Sequence, residues 1–228
     1  MDLALDHLLY AGPDLERLER EVARVAGVPP APGGRHDGMG THNALVGLGH
    51  EAYLELIAPD PEQDGGPFAT SLAGLKATEL HAWCVRTDDL DALAARVEAS
   101  GLGAQRRTMS RATPDGEELH WELLVPSGHP WAGAAPFFIA WGETPHPSRR
   151  LTGPVRLRVL DVLHPAGDDL SAWLTDLGLQ VGEGAVRVAS GRARALRAEL
   201  TGPRGPFAFR GGAGGVRLDA PGPDGGAG

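Results

Sequence analysis

Two stretches of the 228-residue chain repeat one another, and this constrains the fold more than any other feature. They are "LALDHLLYAGPDLERLEREVARVAG", beginning at Leu3, and "LHAWCVRTDDLDALAARVEASG", beginning at Leu80. In the first, Leu3, Leu5, His7 and Leu9 alternate with Ala4, Asp6, Leu8 and Tyr10, which predicts a short strand buried on both faces. Pro13 and Asp14 then open a helix with Asp14 as cap, Leu15, Leu18, Val22 and Val25 on one face, and Gly27 as stop. The second copy has a strand from Leu80 to Val85, a cap at Asp88 or Asp89, a stripe of Leu90, Leu93 and Val97, and a stop at Gly101. Each copy places a histidine near its strand start, seven residues before an aspartate: His7 before Asp14, and His81 before Asp88.

Three extended segments follow each helix, so each unit reads strand, helix, three strands. In the first unit they are "PAPGGRHDG", "THNALVGLG" and "AYLELIAP"; in the second, "AQRRTMSRATPDG", "ELHWELLVP" and "FFIAWGE", with Asp115-Gly116 as a hairpin turn. The glycine-rich stretch "GGRHDGMGTHNALVGLG" falls on the first hairpin. No helix follows its glycines, so the helix N-terminus that a phosphate loop uses is missing. A third, partial copy starts at "VRLRVLDVLHPAGDDLSAWLTDLG", with Leu170, Trp173, Leu174 and Leu177 on one helix face. Asp161 stands there in place of the histidine. The expected organisation is α+β. Residues 1–146 form two βαβββ modules (1–78 and 79–146) whose curved mixed sheet surrounds a cleft. Residues 150–212 form a partial βαβ-type module, and 213–228 a flexible tail.

Composition removes several functions. A net charge of -9 argues against nucleic acid. Residues 149–217 nevertheless carry 11 arginines against 6 acids, and the expectation is that this basic part packs on the acidic remainder. No apolar run reaches the roughly 18 residues of a membrane span, and acids stand at the N-terminus where a signal peptide has bases. The single cysteine, Cys84, excludes an internal disulfide, so a cytoplasmic location is the default. The serines lack a G-x-S-x-G context, and neither C-x-x-C nor H-E-x-x-H is present.

With two such units end to end, the chain resembles the vicinal oxygen chelate superfamily, specifically its glyoxalase-like branch. "LDHLLYAGPDLE", "GGRHDGMGTHNALVGLG", "YLELIAP" and "LHAWCVRTDDLDAL" carry the resemblance, over roughly residues 3–145. It implies a divalent metal (Zn, Fe, Mn or Ni) inside a cleft shared by the two units, with ligands on the first and last strand of each. On this chain those are His7, Glu55 and His81. The fourth position falls near Ile139, which is no ligand.

The residues can be read without the family. Strand alternation puts Tyr53, Glu55 and Ile57 on one face and Leu54 and Leu56 on the other, which suits helix packing. Glu55 then points into the concave side, where a carboxylate needs a cation or strong donors. His7 and His81, the latter beside Trp83, are its expected companions as metal ligands; the alternative is two hydrogen-bonded core histidines with Glu55 paired to Arg35 or Arg86. His120 and Glu122 share a strand face opposite Leu119, Trp121 and Leu123. Glu122 is read as a second catalytic carboxylate or as part of a solvated face. Arg35, His36, His42, Asn43, Tyr53, Trp83 and His120 are the substrate-binding candidates. Three functions remain open: a metal-dependent lyase, isomerase or dioxygenase on a small oxygen-bearing molecule; a non-catalytic small-molecule binder of the same fold; and a scaffold dimerising through its third module.

Overall fold

The computed structural model describes residues 1–212 apart from Asp37, Pro114, Thr152 and Glu183; the tail expected at 213–228 lies outside the described residues. The first unit comprises β1 (Leu3–Ala11), α1 (Leu15–Ala26), β2 (Ala31–His36), β3 (Thr41–Gly49) and β4 (Ala52–Pro59). A short helix α2 (Pro67–Ala73) leads to the second unit: β5 (Glu79–Thr87), α3 (Leu90–Ala99), β6 (Gly103–Ala112), β7 (Glu118–Ser127) and β8 (Phe137–Ala140). Asp14 caps α1 by accepting from the Arg17 amide, and Gly27 ends it in the left-handed region at φ 76°. Asp89, not Asp88, caps α3 by accepting from the Ala92 amide.

The two units pair their strands in the same order, β1-β4-β3-β2 and β5-β8-β7-β6. They join through β1 against β5 and, at the single pair Arg35–Ala112, through β2 against β6. The curved sheet therefore closes into an eight-stranded barrel rather than leaving an open cleft. Alternation then sorts the apolar side chains into two sets. Leu8, Leu54, Leu56, Trp83 and Phe138 face outward under α1, α3 and the third unit. Leu9, Ile57, Cys84, Trp121, Leu123 and Ile139 line the interior.

Two bulges interrupt the alternation. On β1, Leu5 pairs with Val85 and His7 with Cys84, which leaves Asp6 as an extra residue. Leu5 and Leu8 both pack toward the outer core, so Asp6 and His7 turn to the same side although they are adjacent in sequence. On β5, Ala82 pairs with Leu9 and Leu80 with Tyr10, which makes His81 the extra residue.

The third unit is β9 (Arg156–His164), α4 (Gly167–Leu177), β10 (Val186–Ser190), β11 (Ala195–Gly202) and β12 (Gly205–Gly211). It has the element string of the barrel units but a different strand order, β10-β9-β11-β12, with β9 and β10 parallel. Leu160, Leu196, Leu200 and Phe209 join the outer core, where Phe209 meets Tyr10 at 4.3 Å. Trp173 on α4 lies 5.1 Å from Trp131 with the rings tilted by 31°, and donates to Ser100 Oγ at 3.1 Å. The unit thus docks through apolar residues rather than through its excess positive charge. Arg187 pairs with Asp161 at 2.7 Å and Arg197 with Glu199 at 2.8 Å, both within the unit. Across the junction, Arg194 and Arg204 donate to the Ala132 and Arg24 carbonyls, and Arg150 pairs with Glu117. No helix among the described residues is long and apolar enough to cross a membrane.

Candidate functional site

The barrel interior holds a cavity with about 660 Å³ of empty space, its open mouth included. Its walls differ. β1 to β4 supply His7, His36, Thr41, Asn43, Tyr53 and Glu55. The second unit supplies Met109, Trp121, Leu123, Phe137 and Ile139, with Trp141 at the end of β8 and Arg111 as the charged exception.

Glu55 is the centre of the polar wall. It is 7% exposed, and its Oε1 accepts 2.6 Å from Asn43 Nδ2. His7 Nε2 lies 3.4 Å from Oε2, and His36 Nε2 lies 3.7 Å from Oε1. Both rings are tied back through Nδ1. His7 Nδ1 donates to Asp6 Oδ1 at 2.6 Å, and His36 Nδ1 donates to Thr41 Oγ1 at 2.9 Å while its Nε2 accepts from Asn43 at 3.3 Å. Burial lowers the His36 pKa to about 4, with the Glu55 charge opposing, so that ring is neutral at pH 7. Tyr53 stacks on His7 at 4.8 Å, and burial raises its hydroxyl pKa well above the usual value.

Asp6 is the residue that the sequence reading left among strand neighbours. It is wholly buried, and its Oδ2 accepts from Trp141 Nε1 at 3.0 Å and from His146 Nε2 at 2.9 Å. Burial pushes its pKa up, but the hydrogen bonds from His146 and His7 outweigh this and hold the carboxyl below its ordinary range. The warning in the sequence was an acid inside an otherwise apolar strand, which demands partners.

Of the three expected metal ligands, His7 and Glu55 come together and His81 does not join them. His81 occupies the β5 bulge; its Nδ1 lies 2.9 Å from Glu79 and its ring 6.3 Å from Phe68, and it is not among the cavity-lining residues. Ala82 and Cys84 occupy the inner face of that strand instead. Among the substrate-binding candidates, His36, Asn43 and Tyr53 line the cavity. Arg35 reaches outward to Glu62 at 2.6 Å, and His42 alternates with Thr41 and Asn43, away from the cavity. Trp83 is buried in the outer core, with Nε1 donating to the Ala134 carbonyl. His120 and Glu122 lie on the outside of the barrel, where Glu122 meets Arg106 at 3.2 Å; it is the Leu119, Trp121 and Leu123 face that turns inward. Closure of the barrel makes the apolar face of β7 its interior.

The two donor sets available for a divalent cation fit it unequally. Asp6, His7 and Cys84 form the cluster among the described residues whose ligand atoms all lie within 4.8 Å of one another. They are a poor set, because Asp6 and His7 already bond each other and burial raises the thiol pKa well above its usual value. His7, His36 and Glu55 are the alternative set: two imidazole nitrogens oriented by partners at Nδ1 lie 3.4 and 3.7 Å from the two oxygens of one buried carboxylate, and a cation there would take the His36 Nε2 lone pair from Asn43.

The glycines of the first hairpin make room for this wall. A Cβ on Gly33 would overlap Asn43 Oδ1 and stand 2.8 Å from the Asn43 backbone oxygen, and one on Gly34 would press on the Ala112 carbonyl. Gly33→Ala is therefore expected to displace Asn43 from Glu55. We expect it to destabilise the protein by about 1–3 kcal/mol, as overpacking does, with a matching change in the Asn43 side-chain amide resonances. An unperturbed Asn43 signal would refute this account of Gly33.

No curated protein matches the sequence. Among solved structures, a hypothetical protein from Staphylococcus aureus superposes with a TM-score of 0.63 at 19% identity, over 92% of this chain and 85% of that one, so the fold it shares includes the third unit. Methylmalonyl-CoA epimerase from Mycobacterium tuberculosis aligns over 62% of this chain and 88% of its own at 21% identity, with a TM-score of 0.43. The family model described as a glyoxalase-like domain matches residues 5–178, reaching from β1 through both barrel units to the end of α4. With the paired βαβββ units closed around one cavity, this places the chain in the glyoxalase-like domain family.

Proposed function

We propose that the protein is a divalent-metal-dependent enzyme, a lyase, isomerase or dioxygenase, acting on a small oxygen-bearing molecule inside the barrel. The observation that carries this is the meeting of two tied-back imidazoles with one buried carboxylate in an otherwise largely apolar cavity. The His7 Nε2 lone pair and Glu55 Oε2, 3.4 Å apart, call for a positive charge between them. His7, His36 and Glu55 would hold the cation, which replaces the expected set containing His81. When bound, a divalent cation acts as a Lewis acid on a substrate oxygen. The chain's own residues fix the geometry. Asp6 orients His7, Thr41 orients His36, and Asn43 holds Glu55 by its Oε1. The aromatic wall of Trp121, Phe137 and Trp141 excludes water and grips the substrate body.

A second reading is favoured by the inner faces of β5 and β8. Ala82, Cys84 and Ile139 make that wall apolar, which suits a binder that carries no metal. Calorimetric titration of chelator-treated, untagged protein with Zn(II), Mn(II) and Ni(II) separates the two. Binding of one ion per chain by at least one of these metals is expected; no binding by any of them would discard the enzyme reading for the binder.

A further inference from the structure

The cavity contains one cation that the metal-binding wall leaves unused. Arg111 on β6 is 5% exposed and lines the cavity beside the polar strands, where β6 meets β2. A guanidinium carries five N–H donors in a planar fork, and Arg111 gives one, from Nη1, to the Gly33 carbonyl. The approach is possible because Gly34 has no side chain; a Cβ there would stand 2.9 Å from Nη1. The charge is opposed by Glu55 at a distance rather than by a carboxylate in contact, and burial lowers the Arg111 pKa. A cation so placed is costly until an anion arrives with two oxygens to share. Such a fork matches a carboxylate in the bidentate manner that a lysine cannot reproduce.

We infer that Arg111 is the recognition group for a carboxylate, so that the cavity takes small organic acids with an apolar body. This rests on reading the cavity as the substrate site, but not on a metal being present. The acid group meets Arg111, and the body lies against Met109, Trp121, Phe137 and Trp141. Neutral molecules of the same shape leave the Arg111 donors unpaired in a nearly dry site, and this is what discriminates against them.

Phenylacetate and its neutral isostere phenylacetamide test the inference, titrated calorimetrically into wild type, Arg111→Gln and Arg111→Lys, each with and without the bound metal. The acid is expected to bind wild type at least about tenfold more tightly than the amide in both metal states. Arg111→Gln should abolish that preference without weakening metal binding, and Arg111→Lys, which keeps the charge, should retain part of it. Equal binding of acid and amide to wild type, or a preference that survives in folded Arg111→Gln, overturns the inference. A preference that vanishes on chelation and is insensitive to Arg111 also overturns it, and assigns the acid to the cation. A preference lost with Arg111 in a protein that binds no metal upholds the inference while removing the metalloenzyme reading.

Discussion

Glu55→Gln is expected to weaken divalent-metal binding at least about 100-fold while the thermal midpoint of the metal-free protein moves by only a few degrees. Removing a second-sphere partner of a metal site costs about 10–100-fold in affinity, and here a charged ligand itself is lost. Stability is spared for two reasons. Glutamine keeps the amide oxygen that can accept from Asn43, which lies 2.6 Å from Glu55 Oε1. It also removes a buried negative charge. Bound metal measured by elemental analysis, beside thermal melts of both proteins, gives the answer. An unchanged affinity and stoichiometry removes Glu55 from the ligand set. Absence of metal in both proteins moves the function to the small-molecule binder. A large fall in midpoint would mean that Glu55 serves the fold rather than the cation.

Acid exposes a second large effect, this time in His36. Its pKa is about 4 in the folded protein against 6.5 unperturbed, so between these values the unfolded chain binds a proton that the folded one refuses. Stability of the metal-free protein therefore falls as pH drops from 6.5 toward 4, by up to about 3 kcal/mol from this group alone. Asp6 acts in a different window. Its depressed pKa contributes stability that is present above its unfolded value of 3.8 and is lost only below it. His129 and His164 are also lowered by burial, so the informative quantity is the difference between proteins. Urea unfolding at pH 7, 5.5 and 4.5 should show a shallower acid loss in His36→Gln than in wild type. Parallel curves would mean that His36 is not held neutral by its surroundings.

The repeat, the helix stripes and the Asp14 cap were legible because each follows from local periodicity or capping chemistry. The inward face of β4 was legible for the same reason, since no bulge disturbs Tyr53, Glu55 and Ile57. What escaped depends on events that periodicity does not encode. The extra residue in β1 changes the parity of the strand, so strict alternation put Asp6 with Leu8 and Tyr10 when it belongs with His7. The β5 bulge likewise makes His81 an unreliable counterpart of His7. Arg111 is one of three arginines in "QRRTMSRA", and only the closed barrel distinguishes it from the half-exposed Arg106. His146 reaches Asp6 across 140 residues, a contact that no local pattern announces. Glu122 and His120 were placed on the correct side of β7 relative to Trp121, but closure makes that side the exterior.

The unequal walls of the barrel have a consequence for how such a protein can diversify. His7, His36 and Glu55 sit on the first unit, whereas Met109, Trp121, Phe137 and Ile139 sit on the second. Under the proposed reading, duplication has split the labour: one copy keeps the reactive groups and the other has become the mould for the substrate. Mutations in the later half of the barrel can then reshape which molecules fit while the reactive groups stay in place. A library restricted to codons 109, 121, 123, 137 and 139 is the economical place to search for altered selectivity, and its members keep the Trp141 and Arg111 contacts to the polar wall.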